Sequence, residues 1–187
     1  MRSKYYLLGL FAGDGWFQTR GIAIGTKSRS FVRKVAKIAK RLYGSAIIKK
    51  RTYEDGHKMN FVYIWRKSVE EDFTRLLSTR KQKSKTFKPP RMNKKQKREF
   101  IAGLFDAEGS GPYDWYGKPR VGLGIYNKTA AEFMWTNLRK DGIVTYLSTC
   151  KTGEYKIDIT GKKNVQKLFR YYPFIRLIFP KMGKSTL

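Results

Sequence analysis

Leu7-Leu8-Gly9-Leu10-Phe11-Ala12-Gly13-Asp14-Gly15 aligns without a gap on Ile101-Ala102-Gly103-Leu104-Phe105-Asp106-Ala107-Glu108-Gly109, ninety-four residues further on in a chain of 187. A repeat at half-chain spacing marks a duplicated unit, so the remainder is read as two halves. After the first copy come a short alternating run, Gly21 to Ile24, and a helical stretch from Ser28 to Tyr43 closed by Gly44. Strand-like runs follow over Ala46 to Tyr53 and Lys58 to Trp65, then an amphipathic helix near Val69 to Leu77. The second copy is followed by a strand over Arg120 to Tyr126 and a helix over Thr129 to Lys140 ending at Gly142. Strands near Ile143 to Cys150 and Glu154 to Thr160 and a helix near Asn164 to Tyr171 complete it. Each half therefore reads helix, two strands, helix, two strands, helix, an α+β unit present twice. The boundaries expected are 1–83 for the first half, 84–97 for a basic linker containing Pro89-Pro90, and 98–187 for the second half.

Gly9 and Gly13 are four apart, as are Gly103 and Ala107, which puts a stripe of small residues on one face of each motif helix. Glycine inside a helix costs about 0.5–1 kcal/mol relative to alanine. Close helix-to-helix contact offsets that, because two backbones without intervening side chains approach near the lower end of the ~8–10 Å interaxial range. If the stripes pack on each other about a pseudo-twofold axis, Asp14 and Glu108 meet at the last turns. Two carboxylates so placed repel each other, and each sits at the negative end of a helix dipole. A hard divalent cation relieves both problems. Mg²⁺ or a similar ion suits carboxylate and water oxygens, and carbonyls freed at the helix ends, Gly13 and Ala107, are candidate further ligands. Such a centre orients water and offsets the charge of a phosphate displaced in line.

Charge supports a polyanionic partner. The chain carries 41 Lys plus Arg against 14 Asp plus Glu, a net +27 spread from Arg2 to Lys184, while 41% hydrophobic residues exclude a disordered basic tail. One cysteine, Cys150, and one histidine, His57, exclude a disulfide scaffold, a zinc finger and any His-dependent metal cluster. The apolar run Tyr5 to Ala12 stops at Asp14, too short to span a bilayer and without a small-residue cleavage site. No membrane association is expected, and the protein is expected to be soluble and intracellular.

The paired nonapeptides resemble the two signatures of the monomeric LAGLIDADG homing endonucleases, and the strand and helix order resembles that family over essentially the whole chain. The resemblance implies pseudo-symmetric αββαββα halves with the motif helices paired at the interface. It further implies a saddle of two four-stranded antiparallel sheets in the DNA major groove, and Mg²⁺-dependent cleavage of both strands leaving 3′ overhangs. It assigns the metal-binding acids to Asp14 and Glu108. It places polar and basic residues near the scissile phosphates at Thr26 with Lys27 and at Asn127 with Lys128. Basic residues after the last helix of each half match Lys81 and Lys181. Ala12 departs from the signature, where Asp106 keeps the acid in the second half, and Thr26 stands where the family more often has Gln. An RNA maturase acting on intron RNA, or a non-cleaving binding module on the same scaffold, is the alternative reading.

Strand alternation supplies expected DNA contacts. In Glu154 to Thr160 the odd positions Tyr155, Ile157 and Ile159 face the core, leaving Glu154, Lys156, Asp158 and Thr160 outward. The matching run of the first half is expected to bury Met59, Phe61 and Tyr63 and to expose Lys58 and Asn60. Arg20, Lys49, Lys50, Arg51 and Arg120 add charge for phosphates. Trp16, Trp115 and Tyr116, read as loop residues just after the acids, are expected to cover flanking DNA. The geometry of two sheets implies an asymmetric target of about twenty base pairs read by a monomer.

Overall fold

The computed structural model describes residues 3–80, 83–115 and 118–177. The first half runs α1 (Lys4–Asp14), β1 (Gly15–Gln18), β2 (Gly21–Thr26), α2 (Arg29–Tyr43), β3 (Ile47–Thr52), β4 (Lys58–Ile64) and α3 (Lys67–Leu77). A short α4 (Lys83–Thr86) leads to the second half: α5 (Lys94–Glu108), β5 (Gly109–Trp115), β6 (Lys118–Ile125), α6 (Lys128–Lys140), β7 (Tyr146–Thr149), β8 (Tyr155–Thr160) and α7 (Lys162–Tyr171). Each half holds one antiparallel four-stranded sheet, in the orders β1-β2-β4-β3 and β5-β6-β8-β7, so the duplicated α+β architecture is as the repeat implies.

Helix ends follow their capping residues. The Ser28 hydroxyl accepts the Phe31 N–H at 3.2 Å to start α2, and Gly44 ends it at φ 75°. Part of the expected linker is helical, for a local reason. Asn93 and Gln96 form a reciprocal capping box, Gln96 N–H to Asn93 Oδ1 at 3.0 Å and Asn93 N–H to Gln96 Oε1 at 2.9 Å, which starts α5 at Lys94.

The two motif helices, α1 and α5, pack directly on each other and form the centre of one continuous core. Leu7, Leu8, Leu10 and Phe11 of α1 and Ile101, Ala102, Leu104 and Phe105 of α5 are fully buried. The other helices cover one face of each sheet, sealing Ile22, Ile24, Val62 and Ile64 in the first half and Val121, Leu123, Ile157 and Ile159 in the second. The opposite faces carry the alternate residues and form the open side of the molecule.

That parity corrects the reading of β4. Ile22 pairs with Ile64 and Ile24 with Val62, so the core side of β4 is Asn60, Val62 and Ile64, while Met59, Phe61 and Tyr63 take the opposite face with Lys49 and Arg51; Phe61 is nonetheless buried there and Lys58 exposed, as expected. Hydrophobicity alone points the other way, because the outward residues are the larger ones. Pairing with the buried β2 isoleucines overrides it, since a strand's parity is set by its partners across the sheet. Asn60 is consequently buried and donates from Nδ2 to the Lys27 carbonyl at 3.0 Å. By the same register Lys50 and Lys58 lie on the helix side at the sheet margin.

Candidate metal and nucleic-acid site

The site is set by how closely α1 and α5 approach. A Cβ on Gly9 would lie 2.1 Å from the Phe100 carbonyl oxygen, and one on Gly103 2.2 Å from that of Tyr6. A Cβ on Gly13 would lie 2.5 Å from Ala107 Cβ and 3.0 Å from Glu108 Cγ. The residue before Asp14 thus touches the Glu108 side chain, and the two acids share one end of the helix pair. Gly15 and Gly109 follow them in extended conformation, φ −95° and −75°, so each chain passes straight from its acid into a strand. Trp16 and Trp115 therefore lie in β1 and β5 and not in loops. Tyr116, Lys81 and Lys181 fall outside the described residues.

Desolvation by burial, with repulsion from Glu108 second, pushes the Asp14 pKa up to about 7. Asp14 is itself exposed to solvent, which screens part of this. Glu108 is also raised, again first by desolvation, while Lys83 and Arg176 pull it down. Among the described residues no cluster of three or more His, Cys, Asp or Glu side chains is present. A cation here would take two carboxylates and complete its shell with water, backbone or phosphate oxygens. That donor set fits a hard divalent ion.

The helix-end carbonyls are already engaged, which amends their expected role. Lys83 Nζ donates to the carbonyls of Ala12 at 2.6 Å and Gly13 at 2.9 Å. Arg176 Nη2 donates to the carbonyls of Phe105 at 3.1 Å, Ala107 at 3.4 Å and Gly109, and Nε donates to that of Asp106. Each helix end therefore carries a cation that neutralises its dipole and caps its orphan carbonyls. Gly13 and Ala107 retain only a second lone pair for a metal. Burial of Lys83 beside the Phe11 ring, 5.1 Å from its centroid, pulls its pKa down to about 8.

Sequence reading missed both cations, although their spacing gives a signal: Lys83 and Arg176 are ninety-three residues apart, nearly the offset of Asp14 and Glu108. Asp106 explains how Arg176 is delivered. Its carboxylate accepts the Tyr6 hydroxyl at 2.6 Å and the backbone N–H groups of Ile175, Arg176 and Leu177 at 2.5, 3.0 and 2.9 Å. Where the first half has Ala12, the Lys83 ammonium itself binds the backbone.

The polar residues expected beside the phosphates separate. Thr26 ends β2 half-buried, its hydroxyl accepting the Ser28 N–H at 3.2 Å, and Lys27 is exposed after it. Asn127 is 2% exposed and fully used inside the protein: Oδ1 accepts the Ala130 N–H at 3.0 Å and Nδ2 donates to the Phe87 carbonyl at 2.7 Å. It is the N-cap of α6, the counterpart of Ser28 rather than of Thr26. Lys128 is exposed in the first turn of α6, 3.9 Å from Glu132. Arg20 is exposed in the β1-β2 turn.

On the open face of the second sheet lie Arg120, Lys156, Asp158 and Thr160, as alternation implies. There the Arg120 Nε and Nη2 groups donate to Asp158 Oδ1 at 2.9 and 2.7 Å. On the first sheet, Trp16, Lys49, Arg51, Phe61 and Tyr63 take the corresponding face.

Two sheets flanking a pair of acid-tipped Gly-rich helices define the homing endonuclease fold. The family model for the LAGLIDADG-like domain matches residues 3–88 and again 95–172, and the chain belongs to that family. Among solved structures, mesophilic variants of the homing endonuclease I-DmoI superpose with a TM-score of 0.66 at 20% identity, over 89% of this chain and 93% of theirs. I-WcaI bound to its DNA recognition sequence gives 0.63 at 15%, over 100% and 88%. The N-terminal LAGLIDADG domain of DUF199/WhiA gives 0.65 at 15%, over 92% and 81%. Comparison with curated proteins gave no match. At these identities the likeness establishes the fold. Among the described residues no helix is long and apolar enough to cross a membrane.

Proposed function

We propose that this protein is a site-specific homing endonuclease, acting as a monomer inside the cell on a long asymmetric DNA duplex and encoded within an intron or intein. The observation that carries the reading is the placement of Asp14 and Glu108 together at the ends of α1 and α5, between two sheets that present basic residues on one side. Neighbours of the same fold are described with target DNA and Mn or Ca, and with 2 mM Mg, which supports duplex DNA and a divalent ion as the ligands here.

Asp14 and Glu108 would hold the divalent ion, Mg²⁺ by preference, which when bound orients water and offsets charge at the phosphate being displaced. Asp14, with its raised pKa, needs ionisation before it can serve as a ligand. Lys83 and Arg176 keep positive charge beside the acids and hold the helix ends in place. Lys27, exposed at the end of β2, would meet the phosphate backbone, whereas Thr26 beside it, paired with Asn60, turns to the helix side of the sheet. Lys49, Arg51, Arg120 and Lys156 meet the backbone and bases from the sheets. Cutting both strands leaves 3′ overhangs in this reading.

The test is selection of cleaved molecules from a random duplex library in Mg²⁺. Recovery of one asymmetric site of about twenty base pairs supports the proposal. Binding of a duplex that is never cut favours the non-cleaving module, and binding of structured intron RNA alone favours the maturase.

A further inference from the structure

The open faces of the two sheets are built on equivalent positions and carry opposite chemistry. Trp16 pairs with Ala23 where the second sheet pairs Ser110 with Gly122. Phe61 and Tyr63, opposite Gly25 and Ala23, stand where the second sheet has Lys156 and Asp158, opposite Gly124 and Gly122. The central strands β2 and β6 are small on this face in both halves, which leaves room for whatever their neighbours carry. In the second half that is a hydrogen-bonding set. In the first it is a patch of rings: Trp16 meets Phe61 edge-on at 5.4 Å and Tyr63 at 6.4 Å, and Tyr63 stacks on Trp65 at 5.6 Å.

Folding accounts for Phe61, which is buried over Gly25, but not for the partly exposed rings around it, because the main core takes the alternate residues of the same strands. The margin of the patch is also open: Ile47, paired with Tyr63, is 49% exposed and Trp65 45%. An apolar surface rimmed by charge marks a binding face. Charge and position identify its occupant. Lys49 and Arg51 project from the same face, Lys49 Nζ lying 5.7 Å from the Tyr63 ring centroid, and β1 carries Trp16 directly away from Asp14. The patch is thus continuous with the proposed cleavage site and suited to the same polyanion. The carbon surfaces of Ile47 and of these rings cannot distinguish bases by donors and acceptors; the Tyr63 hydroxyl and the tryptophan N–H groups are the patch's only groups that could. The apolar feature that the major groove offers these carbon surfaces is the 5-methyl group of thymine.

We infer that the first sheet recognises its half-site chiefly through thymine methyl groups packed against Ile47, Tyr63 and Trp16, with the buried Phe61 supporting them, whereas the second sheet reads hydrogen-bonding base edges. The inference rests on the proposed action on duplex DNA, and the experiment separates the two.

Duplexes selected for binding in Ca²⁺ would be resynthesised with deoxyuridine for thymidine in one half-site at a time, which removes methyl groups alone. Binding should weaken about fourfold for each contacted methyl, the equivalent of about 0.8 kcal/mol, in one half-site and not in the other. The Ile47→Ser and Tyr63→Ser variants should lose that sensitivity, which assigns the half-site to the first sheet; Ile47 is exposed, so its replacement leaves folding intact. Equal sensitivity in both half-sites, or none, overturns the inference while leaving duplex recognition standing. Tighter binding of single strands than of the duplex also overturns it, in favour of rings that stack on unpaired bases. If no duplex is selected, the proposed function fails and this inference with it.

Discussion

Lys83 and Arg176 perform the same task in opposite halves: each lays a cation across the carbonyl end of its motif helix, Lys83 on Ala12 and Gly13, Arg176 on Phe105, Asp106, Ala107 and Gly109. The two side chains differ because their supports differ. Arg176 arrives on a segment fastened by the Asp106 carboxylate, whereas Lys83 reaches the backbone beside Ala12, a position with no carboxylate to fasten anything. Replacing Lys83 or Arg176 with Met keeps length and removes the charge. Each change should destabilise the protein by about 1–3 kcal/mol, the usual cost of unsatisfied buried partners, and should slow cleavage more than it weakens DNA binding. Denaturant unfolding and single-turnover cleavage measure the two effects.

Asp106→Asn should act through Arg176. The amide still accepts hydrogen bonds but lacks the charge that collects the three N–H groups and the Tyr6 hydroxyl. Loss of protection at the amides of residues 175–177 in hydrogen exchange, with the α1-α5 pair still protected, is the expected result.

Gly9→Ala and Gly103→Ala place a methyl within 2.1 and 2.2 Å of a backbone carbonyl oxygen on the facing helix. Neither helix can move without separating the acids. Overpacking of this kind costs typically 1–3 kcal/mol, occasionally more, and both variants should lose stability and cleavage together. Thermal unfolding checks the first and duplex cleavage the second.

The repeat exposed the fold because a small-residue stripe, an acid and a following glycine recur in one order, and that order has few structural uses. Caps such as Ser28 and Gly44 were equally legible, being local. What stayed hidden depends on the partner strand or on distant chain. The parity of β4 inverted because Ile22 and Ile24 decide it, not the larger Phe61 and Tyr63. Asn127 has the residue type of a site position, but its amide caps α6 and binds the Phe87 carbonyl, contacts that only the fold brings together. Lys83 and Arg176 sit in segments whose composition says only that they are basic or aromatic.

Asp14 should make the metal-free protein sensitive to pH. Its folded pKa, about 7, lies above its ordinary value of 3.8, so the folded state holds the proton more tightly. The stabilisation this gives is fully present below about pH 4 and is lost as pH rises to about 7. Without divalent ions, wild-type stability should fall across that window, and Asp14→Asn should flatten the fall and leave the variant more stable at pH 8. Adding Mg²⁺ at pH 8 should restore the wild type and not the variant. Calorimetry over pH 4–8 would show it.

In the proposed function Asp14 and Glu108 jointly hold the ion required to cut DNA. The most direct measurement is single-turnover cleavage of a selected duplex by the wild type, Asp14→Asn and Glu108→Gln, with Mg²⁺ and with chelator, alongside duplex binding. The wild type should cut only with the ion, and both variants should bind the duplex near-normally. Their cleavage should be about 100-fold slower or more, as loss of several kcal/mol of charge stabilisation implies. Undiminished cutting by both variants, or wild-type cutting in chelator, would contradict that joint role.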